Sequence, residues 1–450
     1  MRRVRWLFLV LGAVLLVAAG CGGGDSSSSS VKPSSSLDKT PVTVTLWHPW
    51  TGDEKKLFEQ ALDGFKKQYP WITLKIVGFP DSDTFDQQVI KAVKGNNAPD
   101  AVLSFGPDYV GQYCSSGLWK DLKPYMDADS IDIGSFADAA ITYTNFDGKQ
   151  CALPSLTDAY GLYYNTDLFA KAGITDPPKT LDELATDAQK LTEKNPDGSI
   201  KVAGFVPLQN WEQLGISDIA RAYGGEMLDE NNQPLISSDP AWEQAFTWQK
   251  SLIDFYGYEN ITKFFAANTD AEFSASNAFE NGKVAMMWDG EWRTAFIARE
   301  HPELKYATAP FPVGPDNTDA YGSARVGGTI VGIPENAPHA DAGWLVVKYL
   351  STDTDYLTFM ANNVRNVPTT EASATSPAFE NDDNFQTFID VWNNPESKFF
   401  PPLTASGGGY FTPLEQFTDE WQAGKKTDLK AGLQEVNDQI SQALQQGEAP

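Results

Sequence analysis

Apolar and polar positions along this chain change period in a way that separates strands from helices. VTVTLW, residues 42–47, sets Val and Leu against Thr at period two, as a strand with one buried face does. From Glu54 to Tyr69 the apolar positions Leu57, Ala61, Leu62 and Phe65 share one helical face, and Pro70 ends the run. Ile72, Leu74 and Ile76 alternate again. Strand, helix and strand in that order predict a right-handed parallel crossover. Thr84–Lys94 is a second helix, with Phe85, Val89 and Val93 inward and Gly95 at its end; Pro99-Asp100 then leads into the strand AVLSF.

The stretch 151–184 joins an apolar entry, a polar turn, the apolar run Tyr160–Tyr164 and two helices, as in a crossing into a new lobe. Thr180 and Glu183 stand at the two positions of a capping box. KNPDGSI, residues 194–200, reads as a hairpin turn; it lacks the spacing of a calcium loop. Aromatic-rich helices fill 211–265. Strands follow at Tyr306–Pro312 and Gly327–Ile333, then a helix at Ala340–Leu350. A loop at Phe399–Phe411 precedes the terminal helices, Pro413 to Leu444. Between the aromatic-rich helices and the strand at Tyr306 lies FENGKVAMMWDGEWRTAF, residues 279–296. Its apolar run Val284–Trp288 meets a helix-like segment, Glu291–Arg299, through Asp289-Gly290. Indole faces beside carboxylates suit a ligand with C–H faces and many hydroxyls, a carbohydrate. The same residues could equally pack a corner, with Asp289 as helix cap.

The N-terminus changes the picture of where the chain works. Arg2, Arg3 and Arg5 precede an apolar run from Trp6 to Ala19, the layout of a signal peptide over residues 1–20. Ala18-Ala19-Gly20-Cys21 resembles a lipobox, which makes Cys21 a lipidation site; ordinary cleavage is the alternative. Residues 22–40 hold three Gly and eight Ser, so 21–40 is a flexible tether. Loss of the leader takes away three of 34 basic residues and no acids, leaving 31 against 60, a net charge of −29. That balance argues against nucleic acid and anionic lipid headgroups as partners. Cys114 and Cys151 form either a disulfide or two separate buried thiols.

The landmarks, taken in order, resemble the bacterial extracellular solute-binding proteins of the maltose and oligosaccharide type, the capture components of ABC importers. The likeness rests on LWHPWTGDEKKLFEQALDGFKKQYP, APDAVLSF, ALPSLTDAYGLYYNTDLFAKAGI with PPKTLDEL, and FENGKVAMMWDGEWRTAF, and covers essentially the whole mature chain. It implies an α/β protein of two lobes, each a mixed sheet flanked by helices, joined by a multi-crossover hinge that closes on a ligand. Lobe 1 is then 41–156 with 307–366, and lobe 2 is 157–306 with 367–450. The chain returns near Tyr306 and again near 365–370. Expected partners are a carbohydrate, the transmembrane subunits of a permease, and the outer face of the membrane through a lipid anchor, with the protein a monomer and no cofactor.

The same resemblance nominates ligand residues, each with a structural rival. Trp292 would stack on sugar or pack the core. Asp289, Asp158 and Asp108 would accept hydroxyls or serve as cap and turn residues. Trp50 and Gly52 lie in the first strand-helix loop, Tyr410 ahead of the late helices, and Gly328 in a glycine pair offering backbone. Arg365 binds hydroxyls or a surface carboxylate; Trp211 binds or packs the core. A secreted glycoside hydrolase is the rival class; composition allows Asp289 and Glu291 as its acid pair, but near neighbours in one turn diverge, whereas hydrolases draw the pair from separate elements. His48, His301 and His339 show no metal-binding spacing.

Overall fold

The computed structural model describes residues 31–79, 81, 84–268 and 273–447; the leader and Cys21 fall outside them. β1 (Val42–His48) and β2 (Ile72–Gly78) pair in parallel, and β1 pairs in parallel with β3 (Ala101–Ser104). The connecting helix expected over 54–69 is two helices, Gly52–Ala61 and Asp63–Gln68. At the break the Tyr349 hydroxyl donates to the Ala61 carbonyl at 3.0 Å. Gly64 leaves room for that ring, because a Cβ there would strike it. Thr180 and Glu183 form the capping box of the helix Leu181–Leu191. The turn at 194–200 joins β5 (Glu193–Lys194) and β6 (Ile200–Phe205) as an antiparallel hairpin.

β4 (Leu153–Asn165) organises the molecule. Its first half, to Ala159, pairs antiparallel with β9 (Arg325–Gly332), and Leu156 and Thr157 also meet β10 (Val367–Pro368). From Tyr160 on, its partners are β7 (Val284–Gly290) and β8 (Tyr306–Ala309). The change falls between Ala159 and Tyr160, and it makes two α/β lobes out of one strand path, β2-β1-β3-β9-β4-β7-β6-β5. β11 (Lys398–Phe399) adds to β9 at Arg325 and Val326. The return expected near Tyr306 comes later, at β9, because β8 still pairs with the second half of β4.

One buried cluster packs Val44, Leu46, Phe58 and Phe65 against Trp344 and Leu350 beneath the first sheet. A second runs without a break from Phe85, Val102 and Tyr113 through Tyr163 to Trp242 and Trp288. β7 is buried at all seven positions, so both faces are covered and the strand shows no alternation. Cys114 and Cys151 are disulfide-bonded, with Cα atoms 5.6 Å apart, which ties the helix Val110–Ser115 to the entry of β4.

Candidate ligand-binding cleft

The partner change in β4 sets Asp158 and Tyr160 on either side of the junction between lobes. Asp158, half-buried, accepts from Asn366 Nδ2 at 2.7 Å. The same amide donates to Glu291 Oε1 at 2.9 Å, and Glu291 Oε2 accepts from the Ala159 N–H at 2.8 Å. One amide therefore joins two carboxylates from β4 and from the turn after β7. Burial pushes Asp158 up to about 7, with Arg325 opposing the rise. Burial and then the charge of Asp158 push Glu291 well above the ordinary range. Glu54, in the first turn of the helix Gly52–Ala61, is pushed up to about 7 by burial and lies within electrostatic range of Asp158.

Tyr160 is the aromatic hub of this wall. Trp288 stacks on it with centroids 5.8 Å apart, and Trp292 meets it edge-on at 5.6 Å. The Arg325 guanidinium sits 3.9 Å from the Tyr160 centroid and donates through Nε to Asp218 Oδ1 at 2.9 Å. Trp292 opens the helix Arg293–Glu300 and remains partly exposed. Its indole packs over Gly290, where a Cβ would collide with the ring. A cavity of about 220 Å³ adjoins Arg325 and Asp218, with Gln213, Phe411 and Glu415 in its walls.

Asp108 is also half-buried, on the short 3-10 turn Pro107–Tyr109. Its carboxylate presses on Gly408 so closely that a side chain there would clash. Burial pushes Asp108 up to about 6, and the charge of Glu415 acts the same way. The glycine-rich loop thus brings a first-lobe acid against the late helices. Trp50 is 4 % exposed and meets the exposed Phe105 at 5.5 Å.

The structure does not bring every nominated residue to this wall. Asp289 is fully buried and stands inside β7, beyond the expected end of the strand; it caps no helix. Its carboxylate accepts from Arg293 Nε at 2.6 Å and from the Gly290 N–H at 2.8 Å. Arg365 donates to Asp382 at 2.9 Å and to the Glu380 carbonyl at 3.0 Å, and lies over Phe385. Trp211 is buried against Phe264 and Phe265. Tyr410 is buried, its hydroxyl donating to the Pro402 carbonyl at 2.9 Å. Gly328 pairs with Thr157 at φ 149°, where a Cβ would meet Tyr143 Oη at 2.7 Å. Gly52 is exposed with φ 53°. Sequence reasoning missed Glu54, Phe105, Tyr160, Arg325 and Asn366. The signals available were slight: Glu54 follows the nominated Gly52 by two positions, Arg325 precedes the glycine pair by two, and Asn366 adjoins Arg365.

Residues 49–356 match the model of the bacterial extracellular solute-binding protein family, and the chain belongs to that family. It is 26% identical over 408 residues to the maltodextrin-binding protein MdxE of Bacillus subtilis, covering 83% of this chain and 87% of that protein. It is 22% identical over 408 residues to the maltotriose-binding protein of Pyrococcus abyssi, covering 89% and 82%. The structure of CpMnBP1 with mannotriose bound superposes with a TM-score of 0.80 at 26% identity, over 89% of this chain and all of the other. Members of the family are binding proteins, and the fold is that of the periplasmic sugar-binding proteins.

Proposed function

We propose that this protein captures a sugar or oligosaccharide between its lobes and presents it to the transmembrane subunits of an ABC importer. The observation that carries this reading is the wall around the β4 junction. There Asp158 and Glu291 sit beside Tyr160, Trp292 and Arg325, contributed by three separate segments of chain. Carboxylates accept sugar hydroxyls and aromatic faces take the C–H faces of the ring. Three strands, β4, β9 and β10, link the lobes here, so a change in lobe angle alters the wall. The relatives named for maltodextrin and maltotriose, and the mannotriose complex, support the ligand class.

In this reading the leader 1–20 is removed, Cys21 carries the lipid, and residues 21–40 tether a monomer to the extracytoplasmic face of the membrane. Among the described residues no helix is long and apolar enough to cross a membrane. The protein binds without turnover. Asp289 is held by Arg293 and does not face Glu291 across a shared space for a glycosidic bond.

A thermal-shift screen against mono- and oligosaccharides tests the reading. The true ligand raises the unfolding midpoint in a concentration-dependent way, and Trp292→Ala reduces the shift by the loss of a stacking face, about tenfold in affinity. Release of new reducing ends during the incubation, or an unaltered shift in the variant, contradicts it.

A further inference from the structure

The chain between β11 and the helix Thr412–Gln422 leaves lobe 2, touches lobe 1 and returns. The helix that follows it is fixed in lobe 2. Phe417 meets Phe246 of the helix Pro240–Tyr256 at 5.4 Å, and Gln422 Oε1 accepts from the Gln209 N–H at 3.0 Å. Phe400, Pro401 and Phe411, at the two ends of the loop, wall the cavity of about 220 Å³ that adjoins Arg325. The crown between them, Thr404–Gly408, lies against the 3-10 turn Pro107–Tyr109 and the helix Val110–Ser115 of lobe 1. Ser115 Oγ donates to the Ala405 carbonyl there at 3.4 Å. The lobe-1 surface is held firmly from behind. Tyr113 stacks on Trp119 with centroids 4.2 Å apart, and Cys114 is bonded to Cys151.

Two buried glycines, one from each lobe, allow this approach. A Cβ on Gly111 would strike the Thr404 carbonyl, a backbone group that cannot turn aside. A Cβ on Gly408 would strike the Asp108 carboxylate, the end of a side chain that can. Neither glycine has a positive φ, so the local backbone accepts any residue at both positions. What excludes a side chain is the other lobe. β4, β9 and β10 link the lobes, and none of them carries Gly111 or Thr404. Rotation about those strands that opens the cleft parts the two residues.

We infer that this contact is a closure latch: Gly111 and Gly408 let the crown of the lobe-2 loop seat on lobe 1 when the cleft shuts, and so retain ligand without touching it. They are positioning residues. This rests on the sugar-binding reading above and adds the place where closure is held. A ligand retained by the closed form loses apparent affinity in proportion to any fall in the closed population. Ligand enters the open form and leaves after the latch parts, so a weaker latch speeds escape more than it slows entry.

The test is stopped-flow and calorimetric binding of short 1,4-linked oligomers of glucose and of mannose to the mature protein and two variants, with small-angle scattering before and after saturation. Gly111→Ala binds about tenfold more weakly, through a faster dissociation rate, with the association rate within about twofold of the parent. Its radius of gyration falls less on saturation. Its apo unfolding midpoint is not lowered, since alanine suits the helix Val110–Ser115 better than glycine does. Gly408→Ala shows the same pattern with a smaller loss, because the Asp108 carboxylate swings away. Variants that bind and compact as the parent does overturn the inference and leave the sugar-binding reading standing. A fall in apo midpoint that matches the loss of affinity also overturns it, since it marks a permanent joint between the lobes. If the parent itself binds no sugar, the sugar-binding reading falls and the latch with it.

Discussion

Two groups of carboxylates meet at the end of β7, where Asp289 belongs to one and Glu291 to the other, and they are satisfied in opposite ways. Asp289, Glu212 and Glu280 all reach the guanidinium of Arg293, at 2.6, 3.2 and 3.2 Å. Asp158 and Glu291 meet only neutral donors, the Asn366 amide and the Ala159 N–H. A buried acid with a cation in contact is already neutralised and holds elements together, here β7 with the 212 loop and residue 280. A buried acid held by neutral groups keeps its demand for charge or hydrogen-bond donors, which marks a site rather than a brace. Composition alone offers no distinction between them.

Removing the brace has the largest expected effect. Arg293→Ala leaves three buried carboxylates without their cation and costs about 3–5 kcal/mol, enough to lower the unfolding midpoint steeply in a thermal melt. A variant as stable as the parent makes the two groups alike. At the junction the order of effects reverses. Asn366→Ala removes the donor shared by Asp158 and Glu291 and weakens ligand at least tenfold by titration, with a smaller change in the apo midpoint. Equal affinity in the variant places the ligand elsewhere.

The pH dependence of the apo protein is smaller and has a defined sign. Acids whose folded pKa lies above the unfolded value stabilise the fold while both are protonated, and that contribution is lost as pH rises toward the folded value. Asp158 and Glu54, both near 7, therefore make the apo midpoint fall between about pH 4 and pH 7. The fall is a few degrees on the scale of about 2–4 °C per kcal/mol, and Asp158→Asn flattens it. Burial raises Asp289 as well, but the Arg293 guanidinium in contact with it opposes the rise, so Asp289→Asn tests the same contrast from the other side. Smallest of all is Arg365→Ala. Its ion pair with the half-exposed Asp382 is worth up to about 1 kcal/mol, and ligand affinity is unaffected in the same titration.

Much of the scaffold was legible because it is written locally. Alternation at 42–47 and 72–76, the helical face between them, and Thr180 with Glu183 each involve neighbours within one or two turns. The misplaced features are those in which distant chain overrides the local pattern. Tyr349 stands at the break in the helix expected over 54–69, and β8 stays with the second lobe because β4 offers it an edge. Asp289 followed by Gly290 reads as a turn until pairing with Gly161 and Tyr160 draws both into the strand.

The sequence by itself determined the family, the α/β alternation, the crossing at 151–165 and the aromatic-acid stretch that holds Trp292. Tertiary structure alone decided which acid in that stretch is braced and which is open. Asn366 reaches Asp158 across 208 positions and Glu291 across 75, while Arg325 reaches Asp218 across 107. Whether a carboxylate keeps its charge depends on such contacts, because burial raises the cost of the charge and only a cation or donor brought in by the fold offsets it.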